Sequence, residues 1–466
     1  MTGLRRKLTT MTEKMSVEPG VNERYLKLYR ENIDRVRENS SDYMNSFRAK
    51  AFEKFSELGI PTKKNEQYKY TNLNTFFDQD YATYFMPVES DFRKAEEFRC
   101  DVVDLDAYGI LLVNGHFASL TEKLRQIPPG IWVGSLNEAA RKFSTLIEKH
   151  YGKYAETETD GLVHLNTAMA ADGIFIYIPE GTVLLKPIQI VNLVGSETDM
   201  FSQHRNLIIA DKGSEGSVII CDHTLSPSRS LANAVTEIYV GENAHFDLVR
   251  VQNEHNNAAK MTHTFIYQEK DSVSTSNNIT LHGGLIRNST YHYLGGEGCE
   301  CDSSGLFLSD KFQHVDNFVS IDHAFPRCSS NQLFKGVLDD MSTGAFNGRI
   351  LVRPDAQKTL AYQKSNNILL TDDAKMDTKP QLEIFADDVK CSHGAAVGQI
   401  DEDALFYLQS RGINKKDAKL MLMFGFAHEV IKNIRVAPLR ERLDDLVMQR
   451  LKGELSRCAS CMIKCV

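Results

Sequence analysis

The chain carries a single tryptophan, Trp132, among 466 residues, which rules out a propeller built on Trp-Asp blades. It has no surplus of basic charge. Against 62 Asp and Glu stand 54 Lys and Arg, a net charge of -8, so there is no positive field for nucleic acid or an anionic membrane surface. No apolar run is long enough to cross a bilayer as a helix. Met1 to Lys7 is basic, but no apolar core of leader length follows it, and the expected address is the cytosol. There is no Gly-x-x-x-x-Gly-Lys-Ser/Thr loop, and Gly295, Gly296 and Gly298 lead into no helix, so any ATP used would have to be bound by a partner. Gly-x-Ser-x-Gly and His-Glu-x-x-His are absent too, which leaves serine-hydrolase and zinc-protease chemistry without support.

What is present is an ordinary globular composition, 42% hydrophobic and 25% charged, on a chain long enough for two or three folding units. Nine cysteines, an odd number, are scattered at Cys100, Cys221, Cys299, Cys301, Cys328 and Cys391 and then cluster at Cys458, Cys461 and Cys465. That is not a secreted disulfide framework. In a reducing compartment such thiols are buried hydrophobes, metal ligands or sulfur-handling groups.

Three regions follow from the patterning. Residues 1–155 read as an N-terminal helical and small α/β region. Leu26, Tyr29, Ile33 and Val36 form one helical stripe and Phe47, Ala51, Phe55 and Leu58 the next, stopped by Gly59 and Pro61. Residues 156–400 change to β-branched runs separated by Gly, Asn, Asp and Pro, such as 174–178, 187–194, 217–221 and 346–352, with no convincing long helix. Without regular tight hairpins, this texture favours a mainly β fold built as a parallel β-helix, with coils of roughly 20 to 25 residues. Its last strand is expected at 382–385. Such a fold must cap or pair its open ends. Residues 401–466 are helical again, with Asp401 and Asn414 as N-caps, Gly412 as a stop and Pro438 opening a last helix before the cysteine-rich tail. The helix from Asn414 is apolar on two sides: Leu420, Met423, Phe424, Ala427, Ile431 and Ile434 on one, Leu422, Phe426 and Val430 on another. It needs two surfaces to pack against, as a core helix or as a docking site.

Candidate chemistry is sparse. The acid pairs Asp339-Asp340, Asp372-Asp373 and Asp387-Asp388 would suit a polysaccharide-cleaving β-helix only if acids from different coils converged. Turn aspartates at coil corners are the preferred reading. Cys299 and Cys301 are read as core thiols. Cys458, Cys461 and Cys465 are spaced for a soft metal but lack a fourth ligand, and a stand-alone metal or redox protein working through them is the alternative function. In Cys391-Ser392-His393-Gly394 an imidazole stands two residues from a thiol, just past the expected last strand. Together they could hold iron or handle sulfur.

Longer motifs carry a resemblance. Ser330-Asn331-Gln332-Leu333-Phe334-Lys335-Gly336-Val337-Leu338-Asp339, Gly344-Ala345-Phe346-Asn347-Gly348 and Gln363-Lys364-Ser365-Asn366-Asn367-Ile368-Leu369-Leu370 resemble the SufB/SufD family of iron-sulfur cluster assembly proteins. So do Lys379-Pro380-Gln381-Leu382-Glu383-Ile384, the stretch from Asp388 through Cys391 and His393 to Ala395, and Phe406-Tyr407-Leu408-Gln409-Ser410-Arg411-Gly412-Ile413. Near the N-terminus, Glu66-Gln67-Tyr68-Lys69-Tyr70-Thr71 is similar to the family's Glu-x-Trp-Lys-Tyr-Thr element, with Tyr68 in place of Trp. Ser-His-Gly around position 393 is similar to the SufD branch, where SufB tends to have Glu-His-Glu.

The resemblance implies a right-handed parallel β-helix between helical regions, in a non-enzymatic scaffold subunit. It implies pairing with a SufB-like paralogue through the last coils and a SufC-like ABC-type ATPase docked on the C-terminal helices. Tyr407, Leu408, Arg411, Leu420, Phe424 and Phe426 are the expected partner-binding residues. A transient iron-sulfur cluster is expected in the complex and no tightly bound cofactor on the isolated chain. His393 is the expected metal contact in cluster assembly and Cys391 its neighbour. Homodimerisation of the isolated chain stays open.

Overall fold

The computed structural model describes residues 20–454, apart from 121–126, 156–159 and scattered positions between 87 and 104. The cysteines at 458, 461 and 465 lie outside the described residues.

Two sheets face each other. The first runs β4 (Trp132–Ser135), β5 (Ile174–Ile178), β7 (Met200–Ala210), β9 (Ser230–Val240), β11 (Ala258–Gln268), β13 (Leu285–Leu294), β15 (His314–His323), β17 (Thr343–Val352) and β19 (Lys375–Ile384), with β1 (Ala82–Thr83) beside β7. The second runs β3 (His116–Leu120), β2 (Tyr108–Val113), β6 (Ile188–Val194), β8 (Glu215–Thr224), β10 (His245–Asn253), β12 (Val273–His282), β14 (Glu300–Ser309), β16 (Ser329–Leu338), β18 (Leu360–Leu369) and β20 (Lys390–Gly398). From β5 onward consecutive strands alternate between sheets, and each pairs in parallel with the strand two places on. The fold is a parallel β-helix.

Its coils are longer than the sequence pattern suggests. Ala259 opposes Leu285, 26 residues on, and Thr343 opposes Lys375, 32 on. The expected 20 to 25 residues is therefore corrected upward. The reason is a polar lumen. Most strands from β7 on hold 9 to 11 residues, but inward-facing Asn, Gln, Ser and Thr interrupt their apolar runs, so half-strands read as loops. Gln252 and Asn288 exchange amide hydrogen bonds across the lumen at 3.0 and 3.1 Å, and Thr262 and Asn317 join them. Corners turn on left-handed residues such as Asn243, Asp271 and Asp340, where short polar side chains tolerate the conformation. Asp339-Asp340, Asp372-Asp373 and Asp387-Asp388 all sit outside the strands at such corners.

The outer faces are covered differently. Against the first sheet lie α1 (Val21–Glu38), α2 (Asp42–Leu58) and α6 (Gly161–Met169), whose Tyr25, Phe55 and Leu165 pack with Phe201, Leu231 and Met261. Approach is close: a Cβ on Gly161 would stand 1.8 Å from the Gly59 carbonyl. The short α3 (Asn74–Phe77), α4 (Leu136–Lys142) and α5 (Ser144–His150) complete this side. The second sheet is covered by α8 (Lys415–Ile431) and α9 (Ala437–Lys452), joined to the solenoid by α7 (Glu402–Ser410). Asp401 caps α7 by accepting from the amides of Asp403 and Ala404, and Asn414 caps α8 by accepting from Asp417. Cys299, Cys301 and Cys328 are core residues. No helix among the described residues is long and apolar enough to cross a membrane.

Candidate functional site

The two ends of the β-helix are finished differently. At the N-terminal end the sheets finish on short antiparallel strands, β3 beside β2 and β4 beside β5. At the other end β19 and β20 have, among the described residues, a partner on one side only. Eight of the nine β20 residues are exposed, and Ile384, Phe385 and Val397 hold apolar surface in water, Phe385 with 63% of its area. An unpaired, partly apolar edge is a template for another chain.

His393 lies on this edge, in β20 itself and not after the last strand as the sequence suggested. The polar Lys390-Cys391-Ser392-His393-Gly394 run hides the strand, because nothing among the described residues buries it. His393 opposes Gln363, and the register continues inward through Gln332, Ser303 and Ser276. Gln363 Nε2 donates to Gln332 Oε1 at 2.7 Å, and Ser276 Oγ to Ser303 Oγ at 3.0 Å. His393 is thus the exposed end of a polar column on the inward face. Cys391, two residues earlier, shares that face and packs partly buried against the cluster of Ala361, Ala386 and Ile350. Burial raises its thiol pKa, which lowers its share of reactive thiolate. Among the described residues no group of three His, Cys, Asp or Glu is placed to hold a metal ion. One exposed imidazole and one half-buried thiol make at most part of a coordination sphere.

The expected partner-binding residues divide in two. Tyr407 is 57% exposed, and Arg411 stands over its ring at 5.1 Å. Phe406 (72%) and Met421 (51%) are exposed with them, whereas Leu408 is half-buried. Leu420, Phe424 and Phe426 are partly buried against the core beneath α8 and α9. Phe424 stacks on His428, which bonds Asp444 of α9 at 2.8 Å, and Lys335 Nζ sits 4.1 Å over the Phe426 ring. The second apolar side of α8 is therefore largely consumed by its own sheet and by α9.

The 66–71 element clamps the N-terminal region to the solenoid. Tyr68 donates to Asp160 at 2.6 Å under the guanidinium of Arg287, Thr71 bonds Asp316 and His314, and Glu66 pairs with Lys379. Two arrangements escaped sequence reading because their members lie far apart in the chain: the ion network around Asp222, and a cluster of Cys100, Cys221 and His223. A Cys-x-His on one strand, Cys221 and His223, was the only signal for the second.

The described chain is a parallel β-helix flanked by helices, with an exposed edge at its C-terminal end. Residues 20–190 match the family model for the SufBD protein N-terminal region, and residues 193–426 that for the SUF system FeS cluster assembly SufBD core domain. The chain belongs to the SufB/SufD family of iron-sulfur cluster assembly proteins. Within it the chain is SufD-like. It is 29% identical to the iron-sulfur cluster assembly protein SufD of Escherichia coli, over 85% of this chain and 90% of the relative. To SufD of Bacillus subtilis it is 25% identical over 95% of this chain and all of the relative. A SufBD family protein of Synechocystis is 29% identical over 87% and 88%.

Proposed function

We propose that this chain is a non-enzymatic subunit of a cytosolic iron-sulfur cluster assembly scaffold, pairing through its open terminal coil with a SufB-like paralogue. The observation that carries this reading is the unpaired edge at β19 and β20, with His393 on it. A parallel edge strand of the paralogue would satisfy the free backbone groups of β20 and cover Phe385 and Val397. The nascent cluster is then a substrate held between two chains. His393 supplies one imidazole or carries a proton, and the remaining donors come from the partner. The exposed patch of Phe406, Tyr407, Arg411 and Met421 suits a SufC-like ATPase, whose hydrolysis would move the two scaffold subunits relative to each other.

His393→Ala is expected to leave assembly of the three-component complex unchanged and to lower its rate of cluster formation at least tenfold. Reconstitution followed by the visible absorbance of the cluster measures this. An unchanged rate in an intact complex would remove His393 from the site while leaving the docking edge standing.

A further inference from the structure

Outside the terminal coil, two thiols, an imidazole and a carboxylate meet on the outer face of the second sheet. Cys221 and His223 stand two residues apart on β8 and point out of the lumen, towards the segment that carries Cys100 and Asp101. Cys100 Sγ lies 3.2 Å from His223 Nε2, and His223 Nδ1 lies 3.5 Å from Asp101 Oδ2. Asp101 is itself held by Asn253 Nδ2 at 2.6 Å, and its carbonyl accepts from Arg442 of α9 at 2.8 Å. Gln189 Nε2 donates to both sulfurs, at 3.7 Å to Cys100 and 3.6 Å to Cys221. The Phe98 ring packs on the imidazole at 5.0 Å. Cys221 is fully buried, while Cys100 keeps part of its surface in solvent.

The arrangement is that of an activated thiol: base against sulfur, carboxylate behind the base, and a second sulfur at hand. A simple core pair of thiols would need neither the imidazole nor the amide donor. The neighbouring Cys221 thiol, with His223 and against the cost of burial, holds the Cys100 pKa well below that of a free thiol. Cys100, together with burial, raises that of Cys221. The groups on the sulfurs are His223 from β8 and Gln189 from β6, and Asp101 stands behind the imidazole, held by Asn253 from β10 and Arg442 from α9.

We propose that Cys100 is a nucleophilic thiolate that reacts with hydroperoxides, and that Cys221 resolves the product to a disulfide. In the first step the Cys100 sulfur attacks the peroxide. An S–O bond forms, the O–O bond breaks, and the departing oxygen takes the proton that His223 drew from the thiol, leaving as alcohol or water. In the second step Cys221 attacks the Cys100 sulfenic acid, an S–S bond replaces the S–O bond, and water leaves with the Cys221 proton. Two thiols lose two electrons and the peroxide gains them. The disulfide ties the covering segment to β8, beside the cluster on which α9 packs.

The test uses the full chain, hydrogen peroxide as the oxidant and peptide-level mass spectrometry. Reduced protein is expected to yield a Cys100–Cys221 cross-linked peptide at peroxide doses that leave Cys391 unmodified, and a thiol reductant restores both cysteines. Cys221→Ser is expected to stop at a Cys100 sulfenic acid that dimedone traps. In the unmutated chain, iodoacetamide is expected to alkylate Cys100 at pH 7 at least about tenfold faster than Cys391, with a rate still flat where ordinary thiols are rising. His223→Ala should abolish that advantage. Should Cys100 show the pH profile of an ordinary thiol, with no cross-link when Cys391 is already oxidised, the proposal is overturned. Because the alkylation profile is read on the unmutated chain, a variant that fails to fold does not obscure the result.

Discussion

Asp222→Ala is expected to destabilise the chain by about 3–5 kcal/mol, the usual cost of stripping one partner from a fully buried ion network. Asp222 faces the lumen with none of its surface exposed. Its Oδ1 accepts from Lys260 Nζ at 2.7 Å and from Asn192 at 2.7 Å, and its Oδ2 from Arg250 at 2.9 Å. Lys260 bonds Glu254 at 3.0 Å, and Thr224 bonds Glu254 as well. Two acids and two bases thus balance across the gap between the sheets, all 2% exposed or less. Removing Asp222 leaves two buried cations facing one carboxylate. Its own carboxyl is held well below the usual range because Lys260 and Arg250 outweigh burial, which pushes the other way. Replacing Asp222 and Arg250 together should cost less than the two single changes added, since one removes the charge the other leaves unpaired. Urea midpoints of the three variants measure both effects.

Acid should destabilise the chain well before Asp160 titrates. Burial pushes His204 and His292 down to about 3, and His150, His282 and His323 down to about 4, from an ordinary 6.5. Between pH 6.5 and these values the unfolded chain binds protons that the folded chain refuses. Stability therefore rises with pH across that window and falls as pH drops through it. Each such histidine contributes a slope of up to about 1.4 kcal/mol per pH unit. Asp160 acts later. In Asp160 burial acts upward, but the His263 charge and hydrogen bonds from His263, Tyr68 and Leu162 bring it to about 2. Its contribution is complete above the unfolded value of about 3.9 and is lost as pH falls towards 2. Denaturant midpoints at pH 7.5, 6 and 5 should fall steadily. A profile flat down to pH 4 would show that these rings take up protons in the folded chain.

How much of this the sequence revealed depends on which face of each strand had to be read. Outward apolar residues such as Ile219, Val249 and Ile279, and the capping residues Asp401 and Asn414, announce strands and helix starts locally. The lumen does not. Asn288 and Gln252 look like loop residues until the opposing sheet supplies their partners, and Gln332 until the next coil does, and so the coil reads shorter than it is. His393 was found through long motifs and not through its spacing from Cys391. β20 escaped because a strand that the other described residues leave exposed has no apolar alternation to display. The two apolar sides of α8 were legible, but their use was not: Phe424 and Phe426 are taken up by His428, Lys335 and α9. Cys100 and His223 are 123 residues apart, and only the folded chain brings them together.

The docking edge is most directly tested by amide hydrogen exchange over residues 375–398, with and without the SufB-like paralogue. In the isolated chain the outward-facing amides of β20 should exchange rapidly, and in the complex at least about tenfold more slowly, with β7 to β13 unchanged. Exchange in β20 that is equally fast in an assembled complex would contradict pairing through the open end of the solenoid.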